Sequence, residues 1–200
     1  MLRRAVLVLV CAAIASGAGP VAAQPSTRDP SKVPAGAYVL DARQSSLTIR
    51  IPLMGGVSRY RMRFNKLSGS FDFDPASWQS TKVEITVDPR SIAAENNMFN
   101  RAVIGSFEPD KYPQILFRST ALVADANGRG KLTGDLTFHG VTRPITLDVQ
   151  FNGFEPGVQS AGMAFSGTGM IKRSEFGLIA GRLFADDKID LNFDVEFTRK

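Results

Sequence analysis

The side chains that could carry out chemistry in this chain are few. His139 is the only histidine, so a catalytic triad would need partners from elsewhere and a metal site would consist mostly of carboxylates. A catalytic histidine also requires a partner that orients it, and Asp135 and Asp148 are the candidates in the same segment. Because His139 precedes Gly140 between two alternating segments, we predict a structural or solvated turn residue and assign no catalytic residue.

Acidic and hydroxyl side chains do not form a recognisable site either. Asp186, Asp187 and Asp190 lack the spacing of a calcium-binding loop, so we predict that they form a turn and a polar strand face. The hydroxyl residues that could act as nucleophiles lie outside any G-x-S-x-G setting: Ser166, Thr168 and Ser174. Since no glycine-rich phosphate loop is present, we predict no metal and no cofactor.

Basic side chains are concentrated in one short segment. Arg59, Arg61 and Arg63 alternate with apolar residues, and Lys66 follows them. One interpretation is a solvated outer strand face that discourages edge pairing. The other is attraction to anionic lipid headgroups, to which each basic residue contributes about 1 kcal/mol. The sequence leaves both open.

The elements that must position these side chains are predicted to be β-strands. Residues 131–151, KLTGDLTFHGVTRPITLDVQF, alternate apolar and polar side chains on both sides of His139-Gly140, which predicts a hairpin. The same alternation predicts further strands at residues 47–51, 60–64, 83–87, 114–124, 161–171 and 189–197. Apolar residues recur four positions apart in one region only, which predicts a short helix near residues 93–108. This helix could cover one end of the sheet.

About eight antiparallel strands with short connections favour a closed up-and-down β-barrel, because closure removes exposed sheet edges. The fold class is therefore all-β. An eight-stranded barrel can pack solid or hold one small ligand. Gly134, Gly167 and Gly169 occupy inward positions, where missing side chains give either a bend or space.

The first residues predict export. Two arginines, an apolar run over residues 5–18 and small residues before Gln24 match the three regions of a secretory signal peptide, which we expect to be removed as residues 1–23. The apolar run is shorter than the ~20 residues that span a bilayer, so no membrane span is expected in the mature chain. The only cysteine, Cys11, lies in this segment, and its loss leaves no thiol for a disulfide.

The rest of the chain is predicted to form one domain. Residues 24–37 are rich in proline and serine and are expected to be a flexible lead-in, and residues 38–200 form the barrel. Because residues 1–23 contain two arginines and no acid, their removal lowers the net charge from +5 to +3. So small an excess does not indicate nucleic-acid binding.

Six segments carry a family resemblance: YVLDARQSSLTIRI, GSFDFDP, YPQILFRST, GDLTFHGVTRPITLDVQFNG, IKRSEFGL and DDKIDLNFDVEF. In this order they resemble the YceI-like family of secreted polyisoprenoid-binding proteins. The resemblance implies a lipocalin-like barrel whose cavity takes the tail of a polyprenyl phosphate, a quinone-like molecule or another long-chain amphiphile. It also implies a periplasmic, non-enzymatic and often dimeric protein. This chain departs from the family near the predicted lid and mouth, at Gln44, at Met54-Gly55-Gly56 and over residues 96–106.

Candidate site residues follow from the barrel and the resemblance together. The cavity is expected to be lined by Phe99, Phe107, Phe117, Leu136, Phe138, Ile145, Phe165, Phe176 and Phe193. The resemblance alone suggests Lys172 and Arg173 as headgroup ligands.

The leading hypothesis is a periplasmic carrier of a long isoprenoid or acyl lipid, acting in transport, storage or stress response. One alternative is a hydrolase or isomerase that acts on such a lipid and uses His139. Another is a solid-core periplasmic protein whose partner binds an outer face. An internal cavity favours the carrier, and its absence favours the solid core.

Overall fold

The computed structural model describes residues 25–94, 97–157, 161–181, 183 and 185–200, with residues 97–99 described by their backbone alone. The predicted signal peptide, residues 1–23, lies outside the described residues. The described chain forms eleven β-strands and one α-helix. The strands are β1 (Gly36–Leu40), β2 (Ser46–Leu53), β3 (Ser58–Phe64), β4 (Leu67–Phe73), β5 (Glu84–Val87), β6 (Ile92–Ala93), β7 (Ile115–Ala124), β8 (Arg129–Phe138), β9 (Val141–Glu155), β10 (Gly162–Lys172) and β11 (Lys188–Arg199). The helix is α1 (Asn97–Ser106). Short 3-10 turns occur at Pro30–Lys32, Met54–Gly56, Trp78–Ser80, Pro89–Ser91 and Arg173–Phe176.

The eleven strands form the eight walls of the barrel, where a wall is either one continuous strand or two successive strands separated by a break. Three of the eight walls are broken in this way. The strands β1 and β2 both pair with β11, where Leu40 lies opposite Phe197 and Ser46 opposite Asp194. In the same way β3 and β4 form one wall, and β5 and β6 form the next. All pairs are antiparallel, and the pairing of β1 with both β4 and β11 closes the sheet on itself. The predicted eight-stranded antiparallel barrel with a short helix is confirmed.

The central hairpin forms where the sequence predicts it. In β8 and β9 the last pair is Phe138 with Val141, which leaves His139 and Gly140 as a two-residue turn. Both turn residues have positive φ, 51° and 74°. Such turns match the right-handed twist of antiparallel strands.

Because successive walls run in opposite directions, the connections between them alternate between the two ends of the barrel. The lid end holds the turn Met54–Gly56, helix α1, the His139-Gly140 turn and the described part of residues 173–187. The base end holds residues 74–83 and 125–128. These two names are kept below.

The described part of the predicted flexible lead-in is packed against the barrel instead. The backbones of Thr27 and Phe154 exchange two hydrogen bonds, of 3.0 and 2.8 Å. Val33 is only 1% exposed, and the Tyr38 hydroxyl donates to the Pro34 carbonyl at 2.8 Å. Pro30 lines the cavity at the base end, so the composition of this segment does not make it a free linker.

Gly134 shows what the inward glycines do. A Cβ atom at Gly134 would lie 2.5 Å from both the Arg118 carbonyl oxygen and the Phe117 ring. A ring of Phe193 lies over Gly167 in the same way, and Leu147 lies over Gly169. These glycines thus allow neighbouring side chains to approach the sheet, and they do not leave empty space.

We expect Gly134→Ala to lower the free energy of unfolding by about 1 to 3 kcal/mol, because the added methyl group must displace backbone and a packed ring. Gly105→Ala is the matched control, since nothing lies within 4 Å of a Cβ at this exposed position in α1. Alanine there should be neutral or stabilising by up to about 1 kcal/mol. Urea unfolding of both variants checks the two signs. Equal effects would show that the contact at Gly134 is unimportant.

Candidate ligand-binding cavity

The barrel encloses an apolar cavity of about 650 Å³ that runs from the lid end to the base end. Its wall is made of inward-facing side chains from the strands, which alternate with exposed outward ones. The lining side chains that carry a polar group are Trp78 and Thr81 at the base end and Ser106 and Arg173 at the lid end. The middle of the cavity is therefore purely apolar. A volume of this size is typical of small-molecule sites.

Seven of the nine predicted lining residues face this cavity. They are Phe107, Phe117, Leu136, Phe138, Ile145, Phe165 and Phe193. Phe176 does not line it: its side chain is fully buried in the turn Arg173–Phe176, and its ring packs 5.8 Å from that of Phe138. The side chain of Phe99, the ninth, lies outside the described residues.

Sequence reasoning found Phe165 at the base end, with its ring 6.2 Å from that of Phe71, but missed the rest of the lining there. Phe71 is central there, with its ring 5.6 Å from Tyr38 and 4.8 Å from Phe197. Trp78 lines the same end from a 3-10 turn. Alternation in the segment GSFDFDP indicates that Phe71 faces inward, whereas nothing periodic surrounds Trp78.

The helix α1 contributes to the lid end of the cavity. Ala102, Val103 and Ser106 all line the wall from this helix. Phe107, immediately after it, packs its ring 5.1 Å from Phe138 and 6.5 Å from Phe64. The helix is thus held to the barrel by an aromatic residue at its end.

Arg173 is a buried cation at the lid end. Arg173 is only 8% exposed. Its guanidinium donates to the backbone carbonyls of Ala185 and Asp186, each at 3.0 Å, and also to the carbonyl of Ala180. Three donors therefore hold the backbone at Ala180, Ala185 and Asp186 against the barrel. A guanidinium carries five N–H groups, so two remain beyond these three contacts.

Lys172, the last residue of β10, precedes Arg173 and points to the outside of the barrel. Its side chain is about half exposed, and its Nζ is 3.7 Å from a carboxylate oxygen of Glu175. The neighbouring Ile171 points into the cavity, so alternation directs Lys172 outward. Of the two headgroup candidates, only Arg173 lines the cavity.

Asp187 fixes the turn that carries Arg173. Its carboxylate accepts from the backbone N–H of Ser174 at 2.9 Å and from the Ser174 hydroxyl at 2.7 Å. These hydrogen bonds from Ser174, together with the nearby charge of Arg173, hold the pKa of Asp187 below its ordinary value. Since the folded state lowers this pKa, the contribution of Asp187 to stability is lost as the pH falls through it.

His139 connects three parts of the lid end. Its Nδ1 is 3.1 Å from the Phe176 carbonyl oxygen, and its Nε2 is 3.4 Å from a Glu108 carboxylate oxygen. The ring also packs edge-on against Tyr112 at 4.6 Å. Through these contacts His139 links the β8–β9 turn to the turn Arg173–Phe176 and to the segment that follows α1.

The partners suggested for an enzymatic histidine lie elsewhere. Asp148 is exposed on the outer face of β9 and forms an ion pair with Lys131 at 2.5 Å. Asp135 is exposed on the outer face of β8, in register with Arg118. The structure therefore does not bring either aspartate to His139.

Within the described residues, no three histidine, cysteine, aspartate or glutamate side chains come together in a way that could hold a metal ion. None of the described helices has the length and apolar character needed to cross a membrane.

Comparison with known proteins identifies similar barrels. The family model of the YceI-like domain matches residues 38–197. A UPF0312 protein of Vibrio cholerae is 32% identical over 169 residues, which cover 82% of this chain and 87% of the relative. The crystal structure of BcnA from Burkholderia cenocepacia aligns with a TM-score of 0.69 and 25% identity over 78% of this chain and 98% of that one.

A third similar protein is described as a polyisoprenoid binding domain from Saccharophagus degradans, implicated in plant cell wall breakdown. It aligns with a TM-score of 0.62 and 17% identity over 82% of this chain and 98% of that one. At this identity the likeness is one of fold.

Proposed function

The chain belongs to the YceI-like family, and from this premise we propose that the protein is a non-enzymatic carrier that holds the tail of a long-chain amphiphile inside its barrel. The observation that carries the proposal is the cavity of about 650 Å³, which is apolar in its middle and polar only at its ends. A tail needs an apolar wall along its length, whereas a headgroup needs polar contacts at one end only.

The energetic demand on such a cavity is modest. Each buried methylene group contributes about 0.8 kcal/mol, so roughly ten of them supply the ~8 kcal/mol of a micromolar complex, before the cost of ordering the tail. The wall alone can supply this free energy. No reacting group is required.

The lid end is the proposed position of the headgroup. Arg173 donates three of its five N–H groups to backbone carbonyls. The two further N–H groups can donate to oxygen atoms of a phosphate or a quinone-like carbonyl. The guest class is therefore a polyprenyl phosphate, a quinone-like molecule or an acyl lipid. The polyisoprenoid binding domain of Saccharophagus degradans has the same fold, and its description agrees with this class.

Export belongs to the same proposal. The charged, apolar and small-residue regions of residues 1–23 support removal of a signal peptide and action in the periplasm. A carrier there would move or store amphiphiles that water does not dissolve. The large cavity argues against a solid-core interaction protein, and the position of His139 outside the cavity lining argues against an enzyme that relies on it.

We expect protein isolated from the exporting cell to carry a lipid. Native mass spectrometry should give, beside the mass of the chain without residues 1–23, a second species heavier by one amphiphile. Organic extraction of the same sample should release that molecule for identification. An apo mass alone, together with no retention of added polyprenyl phosphate or fatty acid, would contradict the proposal.

A further inference from the structure

Four exposed apolar side chains cluster at the lid end. Among the described residues, six large hydrophobic side chains are strongly exposed, and four of them lie on two segments of this end. They are Met54 at 70%, Val57 at 87%, Ile179 at 60% and Leu183 at 88% exposure. We call these four the apolar rim. Exposed apolar patches of this kind mark interaction sites.

The two segments of the apolar rim adjoin each other. The N–H of Asp186 donates to the Pro52 carbonyl at 2.9 Å, and Leu53 forms an isolated bridge with Ala185. The turn between β2 and β3 and the segment after Gly177 therefore project together. Met54 and Ala180 also line the cavity, so the rim borders the end at which a tail would enter.

The hairpin that carries half of this rim is strongly basic. Residues 42–71 contain six arginines and lysines and no acid. Arg59 and Arg61 are exposed on the outer face of β3, and neither has an ion-pair partner among the carboxylates of the described residues. The neighbouring segment, residues 172–187, by contrast contains three basic and three acidic residues, and Lys172 pairs with Glu175 at 3.7 Å.

The spacing of these residues fits the depth profile of a bilayer surface. Arg59 follows Val57 by two residues, which is about 7 Å along a strand, and Arg61 lies about 13 Å away. Apolar groups at an interface enter about 5 to 10 Å, to the boundary between headgroups and acyl chains. With the rim inserted to that depth, Arg59 and Arg61 lie at the level of anionic headgroups.

We infer that the apolar rim, together with Arg59 and Arg61, is a docking surface for an anionic lipid bilayer. This inference goes beyond tail binding inside the barrel, because it concerns the outer surface and can be measured without a guest. It gives the basic strand a partner and brings the lid end of the cavity to the place where amphiphiles reside.

Vesicle flotation tests the inference with protein isolated from the exporting cell, after its intact mass has been measured. We expect the protein to float with vesicles of equal phosphatidylglycerol and phosphatidylcholine, and far less with phosphatidylcholine alone. Binding should weaken as salt is added, because exposed charges are screened. Arg59→Gln and Arg61→Gln should each reduce binding to the mixed vesicles about five-fold, which corresponds to about 1 kcal/mol per basic residue.

Matched controls come from the other end of the barrel. Val57→Asp and Leu183→Asp should abolish flotation, whereas Val123→Asp, which makes the same kind of change at a valine that is 73% exposed near the base end, should not. Arg129→Gln, at the base end of β8, is the control for the arginine variants. All four sites are exposed, so folding should be unchanged.

Ligand retention separates this inference from the proposed function. Rim variants should retain amphiphile in vesicle-free native mass spectrometry as well as the unchanged protein does. Equal flotation with both kinds of vesicle, or equal losses in the rim and control variants, would overturn the docking surface while leaving the carrier intact. A change of sedimentation coefficient in the rim variants, without loss of flotation, would overturn it in favour of a second copy of the chain.

Discussion

Arg173→Met is expected to lower the free energy of unfolding by about 2 to 4 kcal/mol. Methionine keeps an apolar stem but has no donor, so the carbonyls of Ala180, Ala185 and Asp186 lose their partners. Each buried acceptor left without a donor costs about 1 to 3 kcal/mol, and water entering at the lid end recovers part of this. Removing a buried charge saves desolvation energy, yet the orphaned acceptors remain, so the net effect is destabilising.

Arg173→Met should affect local opening at the lid end more strongly than the global free energy of unfolding. Arg173 holds the carbonyls of Ala180, Ala185 and Asp186, and the last two residues also contact β2 at Leu53 and Pro52. Without the guanidinium we expect backbone amides of residues 178–187 to exchange hydrogen much faster, because this segment can then open without unfolding of the barrel. Urea unfolding gives the global change, and hydrogen exchange read by mass spectrometry gives the local one.

Two further variants make the Arg173 experiment decisive. Arg173→Lys keeps the charge, but an ammonium group lacks the planar fork with which the guanidinium reaches three carbonyls. The free energy of unfolding of this variant should therefore lie between those of the unchanged protein and Arg173→Met. Lys172→Gln removes the adjacent exposed cation and should change the free energy of unfolding by less than about 0.5 kcal/mol. If Arg173→Met behaved like Lys172→Gln in both measurements, Arg173 would not be the clamp of the lid end.

The same residue illustrates what the sequence could predict. Alternation places Ile171 inside and Lys172 outside, but it cannot show that three backbone carbonyls from later in the chain accept from Arg173. That contact depends on the path of a segment without periodicity. The resemblance suggested both Lys172 and Arg173 as headgroup ligands, and only the folded chain shows that Arg173 lines the cavity whereas Lys172 does not.

Strand patterns predicted the barrel because each wall has one apolar and one polar face. β11 is the clearest example, with Ile189, Leu191 and Phe193 facing in and Asp190 and Asn192 facing out. The break between β1 and β2 was not predictable, because Asp41 and Ser45 interrupt the wall by bonding to the backbone of Glu196 in β11. Side chains and backbone distant in sequence therefore decide where a wall is broken.

Core and cavity lining could not be separated by pattern either. Phe176 and Phe138 are both apolar residues of the lid end, yet only Phe138 borders the cavity. The difference arises because the turn Arg173–Phe176 ends at Gly177, with φ of 75°, and leaves Phe176 behind the wall. Hydrophobicity alone predicts burial, whereas the direction of a buried ring depends on such turns.

Ile145→Trp is expected to reduce the affinity for a long-chain amphiphile about 100-fold while the barrel stays folded. Ile145 lies on β9 opposite Gly134, faces the cavity and is only partly buried. An indole ring there projects into the space that the tail would fill. Excluding about four methylene groups removes roughly 3 kcal/mol of binding free energy, which corresponds to about 100-fold.

Stability distinguishes a filled cavity from a damaged core in the Ile145 experiment. Because the cavity has room for the added ring, the free energy of unfolding should change by less than about 1 kcal/mol, whereas overpacking a full core costs about 1 to 3 kcal/mol. Thr146→Trp is the matched control, since the next residue of β9 is exposed on the outer face. Titration with a fluorescent fatty acid and urea unfolding of both variants measure the two quantities. Unchanged affinity in Ile145→Trp, with or without a loss of stability, would contradict a tail that lies beside Ile145.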